Sequence, residues 1–249
     1  KQCIRCFLPA AKSVSVKSKG TVINCSRYMD SDLFIAHLNS VLSDDYELVI
    51  KYSDCTVSQR DIYNFPSALD THAMYLFNEG TLEHAYRHLG AHFITLNDTD
   101  GVRFSVWAPN ASSVSVIGEF NHWQRNHHFM RFNPGSGVWD IFIPALTAGQ
   151  CYKFAITTTS GDVLEKADPF AFKMQQAPGT ASVLQPQLGA IKLTDKMLKQ
   201  KAKRNAIDAP ISIYEVHLGS WQRKIDNCYL NYTEFAEHLI SYVKETGFT

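Results

Sequence analysis

Apolar and polar residues alternate in short runs along the first three quarters of the chain. "VRFSVWAP" (from Val102), "SVSVIG" (from Ser113), "GVWDIFIP" (from Gly137) and "CYKFAITT" (from Cys151) are rich in Val, Ile, Phe, Tyr and Thr. Gly, Pro, Asn and Asp separate them, as they separate the short strands of an all-β sandwich. "SGD" (Ser160 to Asp162) then reads as a hairpin turn. The pattern also repeats. "PAAKSVSV" (Pro9 to Val16) aligns with "PNASSVSV" (Pro109 to Val116), and "LFIAHL" (from Leu33) with "VWDIFI" (from Val138). "YELVIKY" (from Tyr46) aligns with "YKFAITT" (from Tyr152), and "DIYNF" (from Asp61) with "DPFAF" (from Asp168), the offset growing by a few residues as loops lengthen. Two tandem β-sandwiches are therefore expected to about Leu188, joined through "MYLFNEGTLEHAYRHLGAH".

The pattern then changes. "LTDKMLKQKAKRNAIDAP" (from Leu193) is basic and lacks alternation, and reads as a linker with a short solvated helix capped at Thr194 or Asp195. "ISIYEVHLGSW" (Ile211 to Trp221) reads as a strand. In "NYTEFAEHLISYVKETG", Asn231 with Glu234 predicts a capping box, Phe235, Leu239 and Tyr242 share a face, and Gly247 supplies a stop. A strand followed by a helix opens a β/α unit.

Composition narrows the function classes. The 249 residues are 45% hydrophobic and 19% charged, with 24 basic residues balanced by 24 acidic ones. A zero formal charge offers no long-range attraction to phosphate backbones or anionic lipid, so neither nucleic acid nor a membrane is the expected partner. No apolar run reaches the roughly 18 residues of a membrane span, and no leader opens the chain, so a cytoplasmic protein with free thiols is expected. Cys3 and Cys6 form a lone C-x-x-C whose odd spacing sets the side chains on opposite strand faces, against a metal site. The chain starts without Met and stops at "KETGFT", so it is read as part of something longer.

"GEFNHWQ" (Gly118 to Gln124) sets a tryptophan in a turn after a strand. Trp123 either closes the end of the sandwich or offers a flat ring on which a sugar's C–H face stacks. His84, His88 and His92 recur every four residues, yet Gly90 interrupts them and packing is the favoured reading. Glu215 and His217 lie two apart on the expected strand. With Tyr214 they are read as structural or supporting residues, not an acid/base pair. His127 and His128 are expected to face solvent.

"VRFSVWAPNASSVSVIGEFNHW", followed by "GVWDIFIP", "YKFAI" and "ADPFAF", resembles the family 48 carbohydrate-binding module. With "EGTLEHAYRHLGAH" and "DAPISIYEVHLGSW", the whole chain resembles the N-terminal part of the glycogen branching enzymes, within glycoside hydrolase family 13. The resemblance implies a mostly β fold: two tandem immunoglobulin-like β-sandwiches followed by the first β/α unit of a truncated (β/α)8 barrel. The expected divisions are an N-terminal sandwich (1–75), a family 48-like sandwich (76–190), a linker (191–209) and the barrel start (210–249). It further implies a monomer that acts on α-glucan by a retaining mechanism without a cofactor or metal. The nucleophile, acid/base and stabilising carboxylates lie on later strands, so this segment contains no catalytic residue and is expected to be inactive alone. Related debranching or trehalose-forming enzymes, or a non-catalytic glucan-binding module, are the alternatives. The family's glycogen-binding relatives use two tryptophans, a lysine and an asparagine. Trp123 and Lys153 match, Asn121 joins them as a glycan-binding candidate, and the second tryptophan has no counterpart at Asp162 or Val163.

Overall fold

The expected alternation becomes paired strands in the computed structural model, which describes residues 2–38, 46–187 and 193–249. Seven strands come first: β1 (Gln2–Phe7), β2 (Ser13–Ser18), β3 (Thr21–Asn24), β4 (Ser26–Arg27), β5 (Leu33–Leu38), β6 (Glu47–Lys51) and β7 (Thr56–Arg60). They form two sheets, in the orders β1-β5-β4 and β3-β2-β6-β7. Cys6 lies opposite Phe34, Val14 opposite Ile50 and Val16 opposite Leu48. Every second side chain on each sheet therefore enters one core with Ala36 and Tyr46. Cys6 is buried and Cys3 exposed, as their spacing predicts, and both are free thiols.

The second set is β8 (Gly90–Leu96), β9 (Thr99–Trp107), β10 (Ser113–Gly118), β11 (Arg131–Asn133), β12 (Val138–Pro144), β13 (Cys151–Thr157), β14 (Val163–Lys166) and β15 (Ser182–Val183). One sheet runs β11-β12-β9-β8; the other runs β10-β13-β14, with β15 also on β13. Phe104, Val116, Ile141, Tyr152 and Phe154 fill the core they share. The sequence repeat reappears here as equivalent pairings, β2 with β6 against β10 with β13, and β6 with β7 against β13 with β14. It extends to hydrogen bonds. Tyr46 OH donates to Asp61 Oδ2 at 2.6 Å, and Tyr152 OH to Asp168 Oδ2 at 2.6 Å. In both copies the other carboxylate oxygen accepts from the backbone two residues on, Tyr63 N at 2.9 Å and Phe170 N at 2.8 Å.

The connector is more than a link. Asp70 caps helix α1 (Thr71–Glu79) through His72 N and Ala73 N, and Gly80 ends it at φ 81°, a left-handed conformation that favours glycine. Met74 of α1 packs with Leu89 and Val138. Arg103, 8% exposed, donates to the carbonyls of Ala68 (3.2 Å), Arg87 (3.2 Å) and His88 (3.1 Å). Strand β9 is thus buried on both faces, because the connector covers the one turned away from the core. His84 and His88 flank a short 3-10 turn, Ala85–Arg87, while His92 lies on β8 with Nε2 2.9 Å from Leu89 O. They do not share one helix face.

The chain divides into two compact units, Lys1–Leu188 and Gly189–Thr249; the expected boundary at 190–191 lies outside the described residues. In the second unit Thr194 Oγ1 caps α2 (Asp195–Arg204) by accepting from Met197 N at 3.3 Å. Helix α3 (Tyr232–Thr246) carries the predicted capping box. Asn231 Oδ1 accepts from Thr233 N and Glu234 N at 3.0 Å, Glu234 Oε2 accepts from Asn231 N at 2.9 Å, and Gly247 ends the helix at φ 78°. The strand expected over Ile211 to Gly219 does not form. Among the described residues that segment has no ladder partner; Ser212 O accepts from Thr249 N at 3.3 Å, and His217 O accepts from Ser220 N and Trp221 N in a local turn. A strand needs a neighbour to satisfy its backbone groups, and apolar alternation alone does not provide one. Among the described residues, no helix is long and apolar enough to cross a membrane and no cluster of three or more His, Cys, Asp or Glu could hold a metal.

Candidate functional site

The site is built on the outer face of the β10-β13-β14 sheet. Val116 and Phe154 face each other and enter the core, so the alternate pair, Ile117 and Lys153, faces outward. By the same alternation Ser115, Ala155 and Glu165 form a row across the three strands on that outer face. Ile117 is nevertheless 0% exposed, and Ser115 and Ala155 are buried. The segment after β10 folds back over this sheet: Arg125 Nη2 reaches Glu165 Oε1 of β14 at 2.6 Å, and Arg125 Nε the same oxygen at 3.1 Å.

The fold-back depends on a tight turn. Gly118 is extended, and a Cβ there would sit 2.5 Å from Cys151 O and 2.6 Å from the Phe120 ring, so close approach excludes a side chain. A 3-10 turn, Glu119–Asn121, follows, and His122 (φ 53°) and Trp123 (φ 60°) are both left-handed. Each such non-glycine residue costs about 1–2 kcal/mol, a cost that persists only where surrounding bonds enforce the shape. Those bonds are present. Trp123 N donates to Gly118 O at 2.9 Å, and Glu119 Oε2 accepts from Cys151 N at 3.0 Å.

Asn121 is the centre of the turn. It is 6% exposed; Oδ1 accepts from Gly118 N at 2.9 Å, and Nδ2 lies 2.9 Å from both Val116 O and His128 Nδ1. Both amide protons are committed to protein acceptors, so the expectation that Asn121 meets a ligand is corrected: it builds the turn. His128 is also corrected. It is turned in against Asn121 and Phe120, and burial with its neighbour His127 lowers its pKa to about 4. It is neutral at pH 7, as an Nδ1 acceptor must be. His127 is exposed as expected.

Trp123 remains 39% exposed on this rigid turn. Lys153 is half-buried, with Nζ donating to Thr180 Oγ1 at 2.8 Å. The second-tryptophan position is a polar hairpin, where Thr158 N bonds Asp162 O at 2.8 Å about Gly161. Arg125, Glu165 and Thr180 were invisible to sequence reasoning, because the strand register that brings them to the turn is not a local property of the chain.

In the second unit, Trp221 Nε1 donates to Tyr214 OH at 2.7 Å, and the Tyr214 ring packs on Tyr242 and Phe248. His217 Nδ1 is 2.9 Å from Ser220 Oγ, and Glu215 is exposed. An open recess of about 630 Å³ runs along α3 beside Trp221, His238 and Tyr242.

Residues 88–171, which include this turn, match the family described as carbohydrate-binding module 48 (isoamylase N-terminal domain). Over its whole length the chain is similar to 1,4-alpha-glucan branching enzymes. It is 45% identical to GlgB of Saccharophagus degradans, over 99% of this chain and 35% of that enzyme. It is 44% identical to GlgB of Rhodopseudomonas palustris, over 99% and 34%. The match is to the N-terminal portion of these enzymes, and the chain spans about a third of the length of the curated relatives it matches. Among solved structures, GBS pullulanase SAP in complex with maltotetraose is 19% identical over 96% of this chain and 31% of that one, with a TM-score of 0.46.

Proposed function

We propose that the chain is the glucan-anchoring, N-terminal part of a glycogen branching enzyme, and that the Trp123 turn holds α-glucan for it. The observation that carries the reading is the half-exposed Trp123 ring, held on a strained turn by a fully bonded Asn121 within a family 48 module. Trp123 stacks on a glucosyl ring and Lys153 bonds its hydroxyls. The parent enzyme transfers an α-1,4-linked segment to a 6-hydroxyl through a covalent glycosyl-enzyme, with carboxylates from beyond this segment, no cofactor, and a cytoplasmic, monomeric chain. The divisions are two immunoglobulin-like sandwiches (1–75 and 76–190), a linker (191–209) and the barrel's first β/α unit (210–249). On this reading Ile211 to Gly219 pairs as a strand only when its barrel neighbours are present, with Tyr214, Glu215 and His217 as supporting residues. The segment alone has no transferase activity.

The test is a titration with maltoheptaose followed by tryptophan fluorescence, with Trp123→Ala as control. A saturable change that disappears in the variant supports the reading. No change in either protein, together with a less stable variant, would make Trp123 a packing residue and overturn it.

A further inference from the structure

The ion pair that straps the turn is only half used. Both short contacts, from Arg125 Nε and Nη2, end on one oxygen, Glu165 Oε1. Arg125 Nη1 and Glu165 Oε2 have no protein partner among the described residues. The pair is solvent-accessible, with 52% and 36% of the two side chains exposed. It lies two residues beyond Trp123, on the sheet face that also carries Lys153, one diagonal step from Glu165 across β13 and β14. A donor and an acceptor are thus offered side by side, with no net charge between them. An anion meets the carboxylate and a cation meets the guanidinium, whereas a neutral vicinal diol satisfies both. In an α-1,4-linked glucan the linkage consumes the 1- and 4-positions and leaves the 2- and 3-hydroxyls as such a diol.

We infer that Arg125 and Glu165 form a polar subsite that bonds the vicinal 2,3-hydroxyls of a glucosyl unit at the Trp123 platform, replacing the missing second aromatic with hydrogen bonds. Arg125 Nη1 donates to one hydroxyl oxygen, and the other hydroxyl donates to Glu165 Oε2. The inference rests on the glucan reading of Trp123.

The experiment compares β-cyclodextrin, its heptakis(2,3-di-O-methyl) derivative and its heptakis(6-O-methyl) derivative on the 249-residue chain, by calorimetry. The three rings present similar stacking faces and differ in which hydroxyls can donate. The expected result is that 2,3-methylation weakens binding about tenfold, the loss of hydrogen bonds to charged groups, while 6-methylation has little effect. Arg125→Ala and Glu165→Gln should bind β-cyclodextrin about tenfold more weakly and no longer distinguish the 2,3-methylated ring. An exposed ion pair adds little to folding, so both variants should melt within a few degrees of the parent. Variants that weaken for all three rings yet keep the parental preference would show a strap and no subsite, overturning this inference and leaving the platform intact. A parent that binds none of the three, with Trp123→Ala unchanged, would overturn the platform reading and this inference together.

Discussion

Replacing Asn121 with Ala should destabilise the protein and loosen the Trp123 turn. The side chain is 6% exposed and makes three contacts of 2.9 Å, to Gly118 N, Val116 O and His128 Nδ1. Each net hydrogen bond stabilises by about 1 kcal/mol, and a buried N–H left without an acceptor costs about 1–3 kcal/mol, so the expected loss is about 3 kcal/mol. Two left-handed residues follow directly at His122 and Trp123. Losing the asparagine removes three of the bonds that oppose their relaxation, and the Trp123 ring should become more exposed. Urea unfolding at pH 7 measures the first effect, and tryptophan emission with acrylamide quenching the second. A His128→Ala variant completes a cycle: the two single losses share one bond, so the double variant should fall short of their sum by about 1 kcal/mol. A loss under about 1 kcal/mol for Asn121→Ala, with unchanged quenching, would refute the claim that this residue holds the turn.

Two further outcomes follow from the same geometry. His128 titrates near 4 when folded, against an unfolded value near 6.5. The unfolded chain therefore binds the extra proton first on acidification, and stability present above about pH 6.5 is lost as pH falls towards 4. The contribution is at most about 3 kcal/mol; His128→Gln should flatten the urea midpoint's pH dependence in that window, and parallel curves would contradict the burial of His128. The repeated tyrosine–aspartate bond should differ in strength between its two copies. Tyr152→Phe removes the donor to Oδ2 of buried Asp168 and should cost about 2 kcal/mol, whereas Tyr46→Phe, at the half-buried Asp61, should cost about half that; equal losses in thermal melts would contradict the burial argument.

What the sequence made legible divides along physical range. The Asn231–Glu234 box, the Thr194 cap and the Ser160–Asp162 hairpin turn are local, each closed within a few residues, and each forms where expected. The repeat was legible for a related reason, since two copies of one strand pattern reinforce each other. The failures all depend on distant partners. The segment from Ile211 alternates like a strand and joins no ladder among the described residues. Asn121 had the chemistry of a sugar contact, and only the register of the turn shows its amide facing inward. That last error is the informative one. A polar residue beside an exposed ring contacts ligand only when its own hydrogen bonds are unspent, and at this turn Arg125 and Glu165, forty residues apart in the chain, keep such groups.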